Sequence, residues 1–268
     1  MHYEPIKHRI DGIISASPVL KKIFFRLIDL YLLRTWHIHR ELRKFLSNHD
    51  EKIEMLDAGA GFGQYSWYVS RKKKNIDITA IDISQSHVDK ANVFFSQIGK
   101  KNIVCSQADL TTFIKPDTYH LILSVDVMEH ILDDRQVFSN FYTSLKQGGM
   151  LLVSTPSDKG GSDVHDHEDA SFIDEHVRDG YSFEDITEKL HSAGFSKVEC
   201  RYTYGWPGKI SWKLLMKIPV TLINKSKLSL VILPFYLIIV FFPAMFLNYL
   251  DVKLKHETGT GLIVKAWK

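Results

Sequence analysis

A chain of 268 residues with 45% hydrophobic and 24% charged side chains can bury a sizeable core, which argues against disorder and against a fibrous repeat. Its net charge of +3 is weak and unevenly placed: Gly205 to Glu257 holds seven lysines against Asp251 and Glu257, so that segment carries +5 and the remainder −2. Basic groups gathered around an apolar run point to an anionic membrane surface rather than to nucleic acid, and Cys105 and Cys200, far apart, match no metal or redox spacing.

The chain opens on MHYEPIKHRIDG, whose charges and proline occupy the place where an export signal needs an apolar stretch, so a cytoplasmic location is expected. From Pro18 to Leu46 apolar side chains recur at helical intervals, as at Ile23, Leu27, Leu30 and Tyr31, giving one long helix or two short ones with Ser17 as N-cap. Short apolar runs then alternate with helical ones. KIEMLDAG, IDITAIDI, NIVCSQADL, YHLILSVDVMEH and MLLVSTP read as strands; FGQYSWYVSRKK, SQSHVDKANVFFSQIG and DDRQVFSNFYTSLKQGG read as helices. Such alternation implies a mostly parallel sheet with helices on both faces. A polar loop, GGSDVHDHEDASFIDEHVRDG, follows. Ser182 then caps a helix that Gly194 ends, FSKVECRYTY is a strand, and TGTGLIVKAWK is the last one.

The densest chemical signal is EMLDAGAGFGQYS, Glu54 to Ser66. A strand ends at Leu56, and Asp57, Gly59, Gly61 and Gly63 turn the chain into a helix whose first N–H groups are free to face a ligand. A dinucleotide fingerprint would need glycine or alanine at position 64, where this chain has Gln64, so a nicotinamide cofactor is not expected. The pattern D-x-G-x-G-x-G resembles motif I of the class I S-adenosylmethionine-dependent methyltransferases, and further motifs follow in order. Asp82 and Ile83 in ITAIDIS, Asp109 and Leu110 in CSQADL, Val125 and Asp126 in LILSVDVMEHI, and LKQGGMLLVSTP all stand where that family has counterparts.

The resemblance covers Glu54 to Pro156, and YSFEDITEKLHSAGF extends it to Phe195. It implies S-adenosylmethionine as cofactor, held by Asp57, Ala58, Gly59, Gly61 and Gly63 at the methionine part, Asp82 and Ile83 at the ribose, Asp109 and Leu110 at the adenine, and Val125 beneath. With an activated methyl donor, such an enzyme contributes alignment, a dry site and at times a base. Candidates for that base are His130 after the fourth strand and His165, His167 and His176 in the polar loop, with Arg178 beside the last. Clustered histidines favour O-methylation; no motif typical of amide or adenine nitrogen acceptors is present, and C- or N-methylation stays open.

LSLVILPFYLIIVFFPAMFLNYL, Leu228 to Leu250, is 23 residues without a charge, long enough to cross a bilayer. A single crossing would strand TGTGLIVKAWK on the wrong side of the membrane, so the chain must return to the side it left. Pro234 and Pro243 predict short, bent helices. Upstream, Lys209, Lys213 and Lys217 recur every four residues with Trp206 and Trp212 nearby, the signature of a helix lying in a membrane interface. The expected architecture is α/β: a Rossmann-like, seven-stranded, mostly parallel sheet at 51–204 and 258–268, a helical cap at 1–50, and a basic, apolar helical insertion at 205–257. The expected function is methylation of a quinone, phenolic or lipid-like acceptor at the inner face of the cell membrane, the membrane being met through Trp206 to Leu250. Its alternatives are a C- or N-methyltransferase on a soluble metabolite and a membrane-attached protein that binds the cofactor without catalysis.

Overall fold

The computed structural model describes residues 17–160, 177–225 and 229–268. The strands are β1 Ile53–Ala58, β2 Ile76–Asp82, β3 Ile103–Gln107, β4 Tyr119–Val125, β5 Leu145–Pro156, β6 Lys197–Thr203 and β7 Gly261–Trp267. They form one sheet in the order β3-β2-β1-β4-β5-β7-β6, with β7 antiparallel to both its neighbours. The helices that cover it are α1 Pro18–Tyr31, α2 Leu33–Ser47, α3 Gln64–Lys72, α4 Gln85–Gln97, α5 Asp134–Ser144 and α6 Phe183–Ser192.

Alternate residues of each strand feed opposite faces, as the two-residue period of a strand requires. Met55, Ile78, Leu121, Leu123 and Leu152 pack with Phe25 of α1, Ile38 and Leu42 of α2, Val69 of α3 and Phe94 of α4. Leu56, Ile122, Leu151, Val153 and Val264 pack on the other side with Phe138 and Phe141 of α5 and Ile186 and Leu190 of α6. The central strands are therefore apolar on both faces and read as continuous runs.

The N-terminal run is two helices rather than one. Leu32 adopts an extended backbone (φ −85°, ψ 114°), and the Thr35 hydroxyl, donating to the Leu32 carbonyl at 2.7 Å and the Asp29 carbonyl at 3.0 Å, fills the break. β5 starts earlier than the apolar run suggests: Leu145 already pairs with Tyr119, across a register shift, so the glycine turn lies within the strand.

Between β6 and β7 the chain makes a helical hairpin. One arm is α7 Trp206–Trp212, a π-helical turn Lys213–Lys217 and α8 Ile218–Lys225; the other is α9 Ser229–Lys253. The prolines do not divide α9, contrary to the expectation of short, bent helices. It is one 25-residue helix with Pro234 and Pro243 inside it. Each proline deletes one N–H donor and leaves the neighbouring turns intact, and no glycine or capping residue between Val231 and Leu247 offers the chain another path.

The base of the hairpin is bolted to the rest of the molecule by a buried carboxylate. Asp251 Oδ1 accepts from His37 Nε2 of α2 at 2.8 Å and from the Tyr204 amide at 3.1 Å, and Oδ2 accepts from the Gly208 amide at 2.9 Å. Away from that base α9 presents apolar side chains that no element among the described residues covers, with Ile239 73% and Phe242 75% exposed.

Candidate functional site

The C-terminal edge of the parallel strands carries the site, at the point where β1 and β4 lie side by side and their connections leave in opposite directions. Gly59, Gly61 and Gly63 all have positive φ, between 53° and 81°. At Gly59 a Cβ would overlap the Val127 side chain, and at Gly63 it would sit 2.7 Å from the Phe95 ring, so both positions need glycine for close packing. Gly61 differs: a Cβ there meets nothing within 4 Å, so the loop is open on that side.

Asp57 is buried and turned into α3, accepting from the Ser66 hydroxyl at 2.6 Å and the Ser66 amide at 3.1 Å. Burial raises its pKa to about 6, with the Ser66 hydrogen bonds opposing the rise. Asp82, half-buried at the end of β2, accepts from the Gly61 amide at 2.8 Å and the Ser84 amide at 2.9 Å, with His87 Nδ1 at 3.3 Å. Burial pushes its carboxyl up, but His87 and the two amides outweigh it, and the net pKa is lowered. Asp82 is thus an anion joined to the glycine loop, and Ile83 beside it is 71% exposed. Ala58 and Leu110 are buried, whereas Asp109 is exposed and accepts from the Thr111 amide and hydroxyl at 2.8 and 2.7 Å. Val125 ends β4 directly before Asp126.

Of the four histidines expected near the acceptor, His165, His167 and His176 lie outside the described residues. His130 closes the short turn Met128–His130 and is exposed. Its neighbour Glu129 is buried and accepts from the Thr155 hydroxyl at 3.0 Å, so the Glu-His pair ties β4 to β5 through its glutamate. Arg178 pairs with Asp134 and donates to the Ile131 carbonyl at 2.6 Å, which pins the loop after β4.

The polar groups that do converge on the glycine loop come from segments distant in sequence. Asp126 follows β4 with φ 49° and forms an ion pair with Arg34 of α2. The Arg34 amide donates to the Tyr204 hydroxyl at 3.1 Å, and Tyr204, just after β6, also has positive φ. Tyr65, on the first turn of α3, is buried with its hydroxyl beside Arg34, and burial raises its pKa to about 12, with Arg34 opposing the rise. Gln64 donates to Asp29 of α1 at 2.8 Å, closing the cap over the loop. A buried hydroxyl beside a guanidinium and a carboxylate offers a polar ligand both donors and acceptors. Asp126 was legible as the residue ending strand four; Arg34 and Tyr204 carry no local signal, since neither lies in a motif.

Comparison with known proteins agrees with this architecture. Residues 56–151 match a family model described as a methyltransferase domain. A phosphoethanolamine N-methyltransferase of Triticum aestivum is 32% identical over 147 residues, which is 54% of this chain and 28% of that protein. A ubiquinone biosynthesis O-methyltransferase of Rickettsia conorii is 29% identical over 110 residues, 41% of this chain and 37% of that one. Among solved structures, phosphoethanolamine N-methyltransferase 2 of Haemonchus contortus in complex with S-adenosyl-L-methionine superposes with a TM-score of 0.59 at 19% identity, covering 87% of this chain and 52% of that one. The matches thus span less than two fifths of the length of these two curated relatives.

Residues 56–151 thus match a methyltransferase domain, and the sheet around them has the Rossmann-like fold of the class I S-adenosylmethionine-dependent methyltransferases. S-adenosylmethionine is the cofactor that the matched domain and this fold imply. The residues fit that group: the open side of Gly61 leaves room against the backbone, Asp82 is an anion with acceptor capacity for ribose hydroxyls, and the exposed Ile83 gives an apolar surface beside it.

Proposed function

We propose that this protein methylates a lipophilic or amphiphilic small molecule, a quinone, phenolic or lipid-like acceptor, at the inner surface of the cell membrane, and that the atom methylated is an oxygen. The observation that carries this reading is the placement of the polar cluster Arg34, Tyr65, Asp126 and Tyr204 at the foot of an uncovered apolar hairpin. A greasy molecule with one polar end fits both parts. The curated relatives, one an O- and one an N-methyltransferase, support methyl transfer and leave the acceptor to be found by experiment.

In this scheme Asp57, Ala58, Gly59, Gly61 and Gly63 hold the methionine part of the cofactor, Asp82 and Ile83 the ribose, and Asp109, Leu110 and Val125 the adenine side. S-adenosylmethionine supplies an activated methyl group. Arg34 steadies the developing negative charge on the acceptor oxygen, Asp126 accepts its proton, and the cap helices exclude water. The new bond joins acceptor oxygen to methyl carbon as the carbon–sulfur bond breaks. His165, His167 and His176 are proposed on sequence grounds to lie on the acceptor side. His130, exposed and beside the locked Glu129, is assigned no part in proton transfer.

Incubation with isotopically labelled cofactor and a total lipid extract, followed by mass spectrometry, tests the proposal. A lipid-soluble product heavier by one labelled methyl group is expected. Cofactor binding without transfer to any lipid or soluble acceptor would instead support a cofactor-binding protein without catalysis. Asp126→Asn is expected to lower transfer ~100-fold or more while cofactor affinity stays within a few-fold; an equal loss of both would remove Asp126 from the acceptor side.

Membrane contact has its own test. Lys209, Lys213 and Lys217 are all exposed, and each lysine near an anionic surface contributes about 1 kcal/mol. Reversing all three to glutamate is expected to weaken binding to anionic vesicles by ~100-fold or more, with strong salt dependence in the parent. Binding that ignores both salt and these substitutions would mean deep apolar insertion without an electrostatic contribution.

A further inference from the structure

We propose that α1 is a second membrane-docking element, forming with the hairpin a single face that seats on an anionic bilayer, so that the Arg34–Asp126 cluster opens at the lipid boundary. The inference rests on the reading above that the hairpin meets the membrane. It extends that contact to the cap that covers the cofactor loop.

α1 is apolar on two sides. Its inner side is accounted for: Phe25 packs between Trp67 at 5.7 Å and Phe94 at 5.6 Å, Lys21 donates to the Lys90 carbonyl at 3.2 Å, and Asp29 accepts from Gln64. Its outer side presents Leu20, Ile23, Leu27 and Leu30, spaced three and four apart on one stripe, with Val19 beside them. An outward-facing stripe would ordinarily be polar, yet Ile23 and Leu27 are each 48% exposed, and no element among the described residues lies over them. This stripe is continuous with the hairpin, because Tyr31 at the end of α1 meets Phe241 of α9 with ring centroids 5.7 Å apart.

Charge identifies the occupant. Between Gly205 and Leu250 the hairpin has no Asp or Glu, and its lysines at 209, 213 and 217 are exposed. On α1, Lys22 and Arg26 flank the apolar stripe, while Asp29, the helix's only acidic residue, turns inward to Gln64. An apolar strip bordered by cations on both elements matches acyl chains under anionic headgroups better than another protein surface. Arg34 and Tyr204 stand where α1 ends and where the hairpin begins, so the two docking elements frame the polar cluster.

The test is flotation of the full-length protein with vesicles of phosphatidylcholine, with and without phosphatidylglycerol, comparing the parent, Ile23→Asp with Leu27→Asp, and Ile239→Asp with Phe242→Asp. Cofactor affinity and circular dichroism confirm that each variant is folded. The α1 double variant is expected to float roughly tenfold less with the anionic vesicles while still binding cofactor. Parent-like flotation of the α1 variant beside loss in the hairpin variant would overturn the role of α1 and leave the hairpin reading standing. Failure of the parent to float would overturn both. A parent that dimerises in solution, with an α1 variant that is monomeric and floats normally, would assign the stripe to a second copy of the chain and overturn the proposal.

Discussion

Gly61→Val is expected to weaken S-adenosylmethionine binding ~100-fold or more while the protein still folds. The backbone at Gly61 has φ 53°, where a side chain costs about 1–2 kcal/mol, and a Cβ there meets no protein atom within 4 Å. The added isopropyl group therefore fills the open side of the loop and does not strike the core. Gly59→Val contrasts with it, since its Cβ would overlap Val127 and disturb β4 as well. Titration calorimetry with cofactor and a thermal melt separate the two outcomes. A Gly61→Val protein that binds cofactor like the parent would show that the loop's open side faces something else.

Asp251→Ala is expected to have the largest effect on stability, ~3–5 kcal/mol, because it leaves His37 Nε2 and the Tyr204 and Gly208 amides without their shared acceptor in a buried site. A fall in the melting temperature of roughly 10 °C or more should accompany it, together with early proteolysis at the hairpin base. The joint also sets a pH response. Burial lowers the pKa of His37 below 6.5, outweighing its bond to Asp251, so the folded protein holds it neutral while the unfolded chain protonates it. Its contribution is present above pH 6.5 and is lost as pH falls through the depressed folded value. Asp251 acts in the same direction: burial raises its carboxyl, but His37, His256 and the Gly208 amide outweigh that and lower it, so acid removes its stabilisation too. Asp57 runs the other way, since a pKa raised to about 6 from 3.8 makes its contribution fall as pH rises through that interval. Melts from neutral to mildly acid pH in the parent and in a His37→Gln, Asp251→Asn double variant check the sign: with both titrating groups gone, the variant should lose much of the acid sensitivity. An unchanged slope would place the titrating group elsewhere.

The glycine loop was legible because its constraints are local. Three alternating glycines between a strand and a helix specify a turn through positive φ, and Gln64 in place of glycine or alanine separates this loop from a dinucleotide one. The strands were legible for a similar reason, as short apolar runs bounded by turn residues. The prolines of α9 misled because a single missing N–H is a strong local signal, whereas helix continuity depends on the turns around it.

By itself the sequence determined the strand and helix alternation, the glycine loop with Asp82 after it, and the presence of a long uncharged run that must return to the sheet. Only the tertiary structure decided that Tyr204 meets Arg34, 170 residues away, that Arg34 in turn pairs with Asp126, that Asp251 joins three segments, and that α1 turns apolar side chains outward as well as inward. Periodicity shows that a helix has an apolar face. Which face is covered depends on the elements packed against it, and for α1 one side has Trp67 and Phe94 while the other has no partner among the described residues.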